Sequence, residues 1–381
     1  MLPKEFREKV IEIKDHLRNY SEALVVFHDD ADGLCSGAII KETLERAGIN
    51  AKMVCLEKTY PFALQKIHSG EGGLIFYCDI GSAHADWIGN FNRSRNLVII
   101  LDHHDPTATK DPKVIDLNLE YWGYKGESDF SGAVICYLFS KIISPANKDL
   151  SYLGVIGASE LPGGFVGFNK EVLKEAKELG LITQDLYIKK LGMDVKEVFS
   201  VLQVLGAVGY YQGGPEIGIK LILEGPKESY LNFAKELREK RKKLNKILLG
   251  KLRAGELKQG KIIQWFDAKD LYKGMGSKVI GQFCSFLSYQ RLVNPRKYIL
   301  GFMNLEGYLP GIGKFEEKYS KFSVRVPVFL RKLIEAGKAK DCVELGKASY
   351  KYGGFIDGHK FAASGIVKRE LIEAFTEEVD K

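Results

Sequence analysis

Long apolar runs are missing from this sequence. No stretch approaches the ~18 apolar residues that a membrane span needs. The opening MLPKEFREKVIEIKDHL is charged throughout, without the apolar core of a signal peptide. Cysteine is sparse. The six (Cys35, Cys55, Cys78, Cys136, Cys284, Cys342) stand far apart with no CxxC pair, which argues against a disulfide framework and a structural zinc site. Internal repeats and low-complexity tracts are absent too, and ordinary shares of apolar (45%) and charged (28%) residues exclude a largely disordered chain. These absences predict a soluble cytoplasmic protein with reduced, mostly buried thiols and no membrane partner.

What is present begins with size. A chain of 381 residues exceeds the ~250–300 at which one core stops growing, so two domains are expected. The net charge of +7 is small but local: between Arg238 and Arg253 eight basic residues face one acid, Glu239, a surplus equal to the whole net charge. Phe6, Val10, Ile13 and Leu17 mark an N-terminal amphipathic helix. Short apolar runs at 23–27, 51–56, 73–78 and 96–101 then alternate with helical segments near 36–47, 62–68 and 83–91, the pattern of a parallel sheet. Residues 131–225 read as mainly helical (133–143, 150–158, 170–179, 195–208), and 228–253 as one long basic helix with Leu237, Leu244 and Leu248 on a stripe. A second α/β unit follows, with strands at 261–266, 297–304 and 322–329, a helix near 277–287, a Gly-rich passage at 352–359 and a terminal helix. The fold class is therefore α/β: a parallel-sheet domain with a helical second half (1–227), a connecting helix (228–256) and a smaller α/β domain (257–381).

Chemistry concentrates at predicted strand ends. His28-Asp-Asp-Ala-Asp-Gly33 follows the first strand, and alternation sets His28, Asp30 and Asp32 on one side. Asp79 ends the third strand and Asp102-His103-His104 the fourth. In a parallel sheet these clusters share one edge, where ligands bind. Carboxylates so close repel unless a cation sits among them, and histidine plus carboxylates without thiolate suits Mn²⁺ or Mg²⁺. A lone strand-end Asp is usually a helix cap; three clusters in one context are not explained that way. His16, His68 and His84 read as surface or helix residues, and Tyr210, Tyr211, Trp265 and Phe266 as core rather than base-stacking aromatics.

His28-x-Asp30-x-Asp32-Gly33, Asp79 and Asp102-His103-His104 resemble the ordered motifs of the DHH phosphoesterase superfamily. Gly353-Gly354…Asp357-Gly358-His359-Lys-Phe-Ala362-Ala363-Ser-Gly365 is similar to the glycine–histidine motif of its DHH-associated domain. Asn118…Gly123-Tyr-Lys-Gly126…Ser131-Gly-Ala133 and Phe165-Val-Gly-Phe-Asn169 look most like the archaeal RecJ-like branch. The resemblance implies a two-metal phosphodiesterase: Asp79 bridging two Mn²⁺ or Mg²⁺ ions, Asp30 and His28 on one, Asp32 and His103 on the other. His104 would act on the scissile phosphate, with Asp102 orienting the histidines. One position departs from the pattern. Where the family has Gly-Ala-x-Gly-Asp, this chain has Val155-Ile-Gly-Ala-Ser-Glu160, leaving Glu160 as the nearby carboxylate.

For the C-terminal domain the resemblance implies a loop of Gly353, Gly354, Gly358 and His359, with Arg325, gripping a phosphate or nucleotide. Arg241, Lys242, Lys243 and Lys246 would line a groove for a polyanion, against the plainer reading of a solvated helix face. The expectation is a metal-dependent exonuclease on single-stranded DNA or RNA, cutting between the two domains. An oligoribonuclease or cyclic-dinucleotide phosphodiesterase is the alternative, and a catalytically weak or inactive replication or repair scaffold a third. Partners would be single-stranded nucleic acid or short oligonucleotides, with replication or repair proteins and a second copy of the chain as further candidates.

Overall fold

The computed structural model describes residues 2–161 and 163–381. They fall into two compact units, the first running to Ala234 and including Leu309–Gly313, the second made of Lys235–Tyr308 and Lys314–Lys381. The first unit opens with α1 (Lys4–Leu17), whose Phe6, Val10, Ile13 and Leu17 are all buried. Five strands follow: β1 (Glu22–His28), β2 (Asn50–Leu56), β3 (Leu74–Cys78), β4 (Leu97–Leu101) and β5 (Val114–Asp116). All pair in parallel, in the order β2-β1-β3-β4-β5. The apolar runs LIFYC and LVIIL are buried almost end to end because helices cover both faces of a parallel sheet.

The connecting helices are α2 (Ala31–Arg46), α3 (Pro61–Ile67) and α4 (Ala85–Asn92). The order decides where a site can form. From β1 the chain crosses to β2 on one side, and from β3 to β4 on the other. The C-terminal ends of β1 and β3 therefore flank a crevice at a topological switch point.

The helical half comprises α5 (Gly132–Ile143), α6 (Ser151–Ala158), α7 (Gly167–Glu178), the two-residue pair β6 and β7 (Tyr187–Ile188, Met193–Asp194), α8 (Val195–Gln203) and α9 (Gly214–Glu224). Helix α2 is buried along most of its length and packs against α5, α6 and α9. The helix expected over 195–208 stops at Gln203 and continues as a π-helical turn over 204–208. Helix α10 (Glu228–Lys251) buries Leu237 and Leu248 among its basic residues.

The second unit is a six-stranded mixed sheet in the order β14-β15-β13-β10-β9-β8. Its elements are β8 (Lys258–Gln259), β9 (Ile263–Asp267), α11 (Lys278–Leu287), β10 (Tyr298–Asn304), β13 (Tyr319–Arg325), α12 (Val328–Glu335), α13 (Cys342–Gly346), β14 (Phe355–His359), β15 (Ala362–Lys368) and α14 (Ile372–Val379). A short pair, β11 (Tyr308–Leu309) and β12 (Gly313–Lys314), precedes β13. Phe302, Phe322 and Val324 pack with Leu330, Ile334 and Phe375 to form the core.

Two expectations change here. The strand expected over 322–329 is β13, ending at Arg325, because Pro327 has no N–H for the ladder and instead caps α12. The Gly-rich passage is not an open loop. Gly353 ends a short turn with φ 69°, and Gly358 and His359 lie in β14, paired with Ala363 and Ala362. All six cysteines are free and buried. Among the described residues no helix is long and apolar enough to cross a membrane.

Candidate metal centre

Strand β1 ends on His28, and the chain turns at once into α2. Asp30 caps that helix: its Oδ1 accepts the Gly33 N–H at 2.9 Å. Its Oδ2 lies 2.9 Å from His28 Nδ1. The cap and ligand readings of Asp30 are thus both realised, one oxygen each. The expected strand-like alternation is not, since Asp32 already belongs to the first turn of α2. Asp79 follows β3 with a left-handed φ of 60° and places Oδ2 3.4 Å from His28 Nδ1 and Oδ1 3.4 Å from His103 Nε2. Two groups result, His28–Asp30–Asp79 and Asp79–His103–His104, each with one ligand atom per residue within 4.8 Å of the others. Asp79 is common to both.

Protonation states follow from partners. His103 Nδ1 is 2.8 Å from the Gly126 carbonyl, which can only accept, so that nitrogen carries the proton. The Nε2 lone pair then faces the oxygens of Asp79 at 3.4 Å and Asp32 at 3.9 Å. Lone pair against carboxylate is repulsive unless a proton or a metal cation stands between them. Asp79 Oδ1 is, moreover, buried without a hydrogen-bond partner among the described residues. The residues present therefore fit a hard divalent cation, with nitrogen and oxygen donors and no thiolate. Burial, then the carboxylates of Asp32, Asp30 and Asp102, push Asp79 well above the ordinary carboxyl range. Burial, then the neighbouring His104, pulls His103 down and favours its neutral, ligating form.

Asp102 organises the other edge. Its Oδ1 lies 2.7 Å from His104 Nδ1 and accepts the His103 N–H at 2.8 Å, while its Oδ2 accepts the Ser82 N–H at 2.9 Å. Burial alone would raise its pKa, but His104, His103 and the Ser82 N–H hold it below the ordinary range. His104 is thus fixed with Nδ1 toward Asp102, and its ring, 34% exposed, is the most accessible of the cluster.

Several partners were not singled out for a role by the sequence. Asp32 accepts from Ser131 Oγ (3.0 Å), Gly132 N (2.9 Å) and Ala133 N (2.8 Å) at the start of α5, so its carboxylate is seated on a helix N-terminus. A Cβ on Gly132 would lie 2.1 Å from Asp79 Oδ1, and one on Gly157 2.2 Å from Asp32 Oδ1; both glycines make room for the carboxylates. Asn118 Nδ2 donates to the His104 carbonyl at 2.7 Å. The Ser131-Gly-Ala133 and Asn118…Gly126 stretches held these signals, but only as motif matches. Asp29, passed over between two candidate ligands, is fully buried, 3.4 Å from His28 Nε2.

Other candidates lie elsewhere. Glu160, just beyond α6, is exposed, accepts from Gln203 Nε2 at 3.2 Å and belongs to neither group, but it lies near enough for its charge to act on Asp79 and Cys35. Arg325 is held by Ser285 Oγ (Nε, 2.9 Å), Ser323 Oγ (Nη1, 2.9 Å) and the Val324 and Ala363 carbonyls, and burial lowers its pKa. In α10, Arg241 donates to Gln282 Oε1 at 2.7 Å and Lys242 pairs with Glu239 at 2.8 Å, while Lys243 and Lys246 are exposed. Gly354 abuts the Ile366 carbonyl. Two histidines read as surface or helix residues stand at helix ends but are buried. His68 is buried between Tyr77 OH (2.9 Å) and Asn92 Oδ1 (3.1 Å), with burial lowering its pKa to about 4. His84 is buried with Nδ1 2.7 Å from Thr59 Oγ1. Tyr210 and Phe266 are core, as expected.

Residues 22–156, from β1 through most of α6, match the model of the DHH family, N-terminal domain. The chain carries that DHH domain. An uncharacterised protein of Methanocaldococcus jannaschii is 27% identical over 217 residues, covering 54% of this chain and 47% of the relative. Among solved structures, RecJ of Thermus thermophilus in complex with Mn²⁺ covers all of this chain and 55% of its own, at 19% identity and a TM-score of 0.68. An exonuclease RecJ bound to manganese matches at 18% identity and a TM-score of 0.67, over 100% of this chain and 94% of its own. The chain thus spans about half the length of the curated relative and of the Thermus protein, and it shares the fold of the RecJ structures.

Proposed function

We propose that this chain is a Mn²⁺- or Mg²⁺-dependent phosphodiesterase of the RecJ-like kind, hydrolysing single-stranded DNA or RNA from an end. One observation carries the reading: a single carboxylate, Asp79, belongs to two His/Asp groups at the switch point of a parallel sheet. His28, Asp30, Asp79 and His103 would hold two cations, with Asp32 beside them. Bound there, the ions would neutralise phosphate charge and acidify a water, the chemistry paired ions supply in phosphodiester hydrolysis. The protein's own part follows from its hydrogen bonds. Asp102 keeps the His104 Nδ1 proton in place, which leaves Nε2 to exchange a proton with the leaving oxygen. Arg325, Gly353, Gly354, Gly358 and His359 are proposed to hold a strand terminus on the second unit. Lys243 and Lys246, with Arg241 and Lys242, would attract the backbone.

The placement of Glu160 outside both groups favours a second reading, a weakly active or inactive nucleic-acid-binding protein. Incubation with Mn²⁺ and end-labelled single strands of two lengths separates them. Stepwise loss of terminal nucleotides, abolished in His104→Ala, supports the exonuclease. Cleavage confined to dinucleotides or cyclic substrates replaces it with the small-substrate alternative. Absence of metal-dependent turnover on any substrate leaves the second reading.

A further inference from the structure

The second unit ends its sheet in a patch that contains none of the metal-centre residues. Strands β14 and β15 join through a two-residue turn, Lys360-Phe361, and the paired residues flanking it, His359 and Ala362, lie in one row with Arg325 of β13. Beside this row α12 begins with Val328 and Phe329, 54% and 43% exposed, while its Leu330 and Ile334 turn into the core. Cations sit on both aromatic rings: the Arg296 guanidinium 5.3 Å from the Phe329 centroid, and Arg331 and Lys360 5.0 and 5.8 Å from that of Phe361.

Surface rings with a cation nearby are common and often only pack. Three facts set this patch apart. Arg296, Arg331 and Lys360 form no ion pair among the described residues, so their charge is uncompensated. The flanking segments repeat the bias: residues 288–297 hold Arg291, Arg296 and Lys297 without an acid, and 328–340 hold four basic residues against Glu335. Tyr289, 73% exposed, adds a further ring at the end of α11. Phe329 and Tyr289 are exposed and Phe361 is partly buried against the core; such rings among unpaired cations suit a ligand with flat apolar faces on a polyanionic backbone.

We propose that Phe329 and Phe361, with Arg296, Arg331 and Lys360, form a stacking platform for unpaired bases of a single-stranded nucleic acid. The inference rests on the reading of the chain as a nucleic-acid enzyme and adds which residues take the bases. Phosphates would run along the guanidinium and ammonium groups, and bases would lie on the rings. Ala362, next to Phe361 in the chain, pairs with both Arg325 and His359, the row proposed for the terminal phosphate.

The test is binding of fluorescein-labelled single-stranded, duplex and inorganic polyphosphate probes to the full chain in EDTA, read by anisotropy across a salt series. Phe329→Ala and Phe361→Ala should each weaken single-strand binding roughly five- to a hundred-fold, with little effect on duplex or polyphosphate. Arg331→Glu and Lys360→Glu, exposed charge reversals that leave the core alone, should weaken all three probes and flatten the salt dependence. Single-strand affinity within twofold of wild type in Phe329→Ala and in both charge reversals overturns the proposal. So does equal weakening for all three probes in the phenylalanine variants, which would make the patch electrostatic only. Hydrolysis of bis(p-nitrophenyl) phosphate by wild-type protein with Mn²⁺ reports the metal centre separately, so a dead enzyme and an absent platform give different results.

Discussion

Replacing Asp79 by asparagine should stabilise the metal-free protein while silencing its response to divalent cations. The ligand atoms of Asp30 and Asp79 lie within 4.8 Å of each other. Two ionised carboxylates at that separation repel by about 3.5 kcal/mol at an effective dielectric of ~20. His28, next to both, offsets part of this. The φ of 60° adds no penalty, because asparagine enters the left-handed region as readily as aspartate. A net gain of about 1–3 kcal/mol is expected, or roughly 2–12 °C in Tm at 2–4 °C per kcal/mol for a unit of this size. The pH dependence has a definite sign. The folded pKa is raised above the ordinary 3.8, so wild-type stability is full below that value and falls as pH rises through the folded pKa. The advantage of asparagine therefore grows from about pH 4 upward and vanishes in acid. Thermal melts in EDTA and in Mn²⁺ provide the assay. Wild type should gain about 2.7 kcal/mol with metal at a hundred times its dissociation constant, and Asp79→Asn almost nothing. A variant that melts below wild type in EDTA at pH 7.5, or that keeps the full Mn²⁺ shift, refutes the reasoning.

Gly132→Ala should cost ~1–3 kcal/mol and lose most of the Mn²⁺-induced melting shift, because the added methyl would lie 2.1 Å from Asp79 Oδ1 and displace that carboxylate; calorimetric titration with Mn²⁺ checks it. Asp102→Asn should cut turnover at least ~10–100-fold, since asparagine keeps one acceptor oxygen but not the charge, and its NH2 group must face either His104 Nδ1 or the Ser82 N–H, both of which now point at an oxygen. Its kcat should change more than its KM in steady-state kinetics on an oligonucleotide. Burial pushes the Asp116 carboxyl up to about 7, against Ser82 Oγ–H and Asn118 N–H donors. That stability is complete below about pH 4 and lost as pH rises through 7, by up to ~4 kcal/mol. Urea unfolding at pH 4.5 and 7.5 should accordingly show a smaller loss in Asp116→Asn than in wild type.

The legible part of this molecule is the part written in period and punctuation. LVVFH, LIFYC and LVIIL are apolar runs that end in acids and histidines, and they place His28, Asp79 and Asp102 at the same sheet edge. Strand β5 was not, because Val-Ile-Asp is too short to show a period, yet it delivers Asp116 and the approach to Asn118. The donors around the ligands escaped for another reason. Backbone N–H groups of Gly132 and Ala133 and the Gly126 carbonyl have no side-chain signature, and their contacts span 23 to 101 residues. Glu160 shows the converse: a carboxylate close in sequence to a motif position whose exposed location nothing in the local pattern revealed.

The connection from Leu117 to Ser131 is mostly without regular structure, yet it is stitched at four points. Asn118 holds the His104 carbonyl, Gly126 holds His103, Glu120 accepts the Gly126 N–H, and Ser131 holds Asp32. Surface connections of this length ordinarily drift in evolution, gaining and losing residues with little effect on the fold. Here a one-residue insertion would dislodge two histidines and a carboxylate together. Related sequences that keep the site should therefore vary freely in the turn between β6 and β7 while keeping the length of this connection constant.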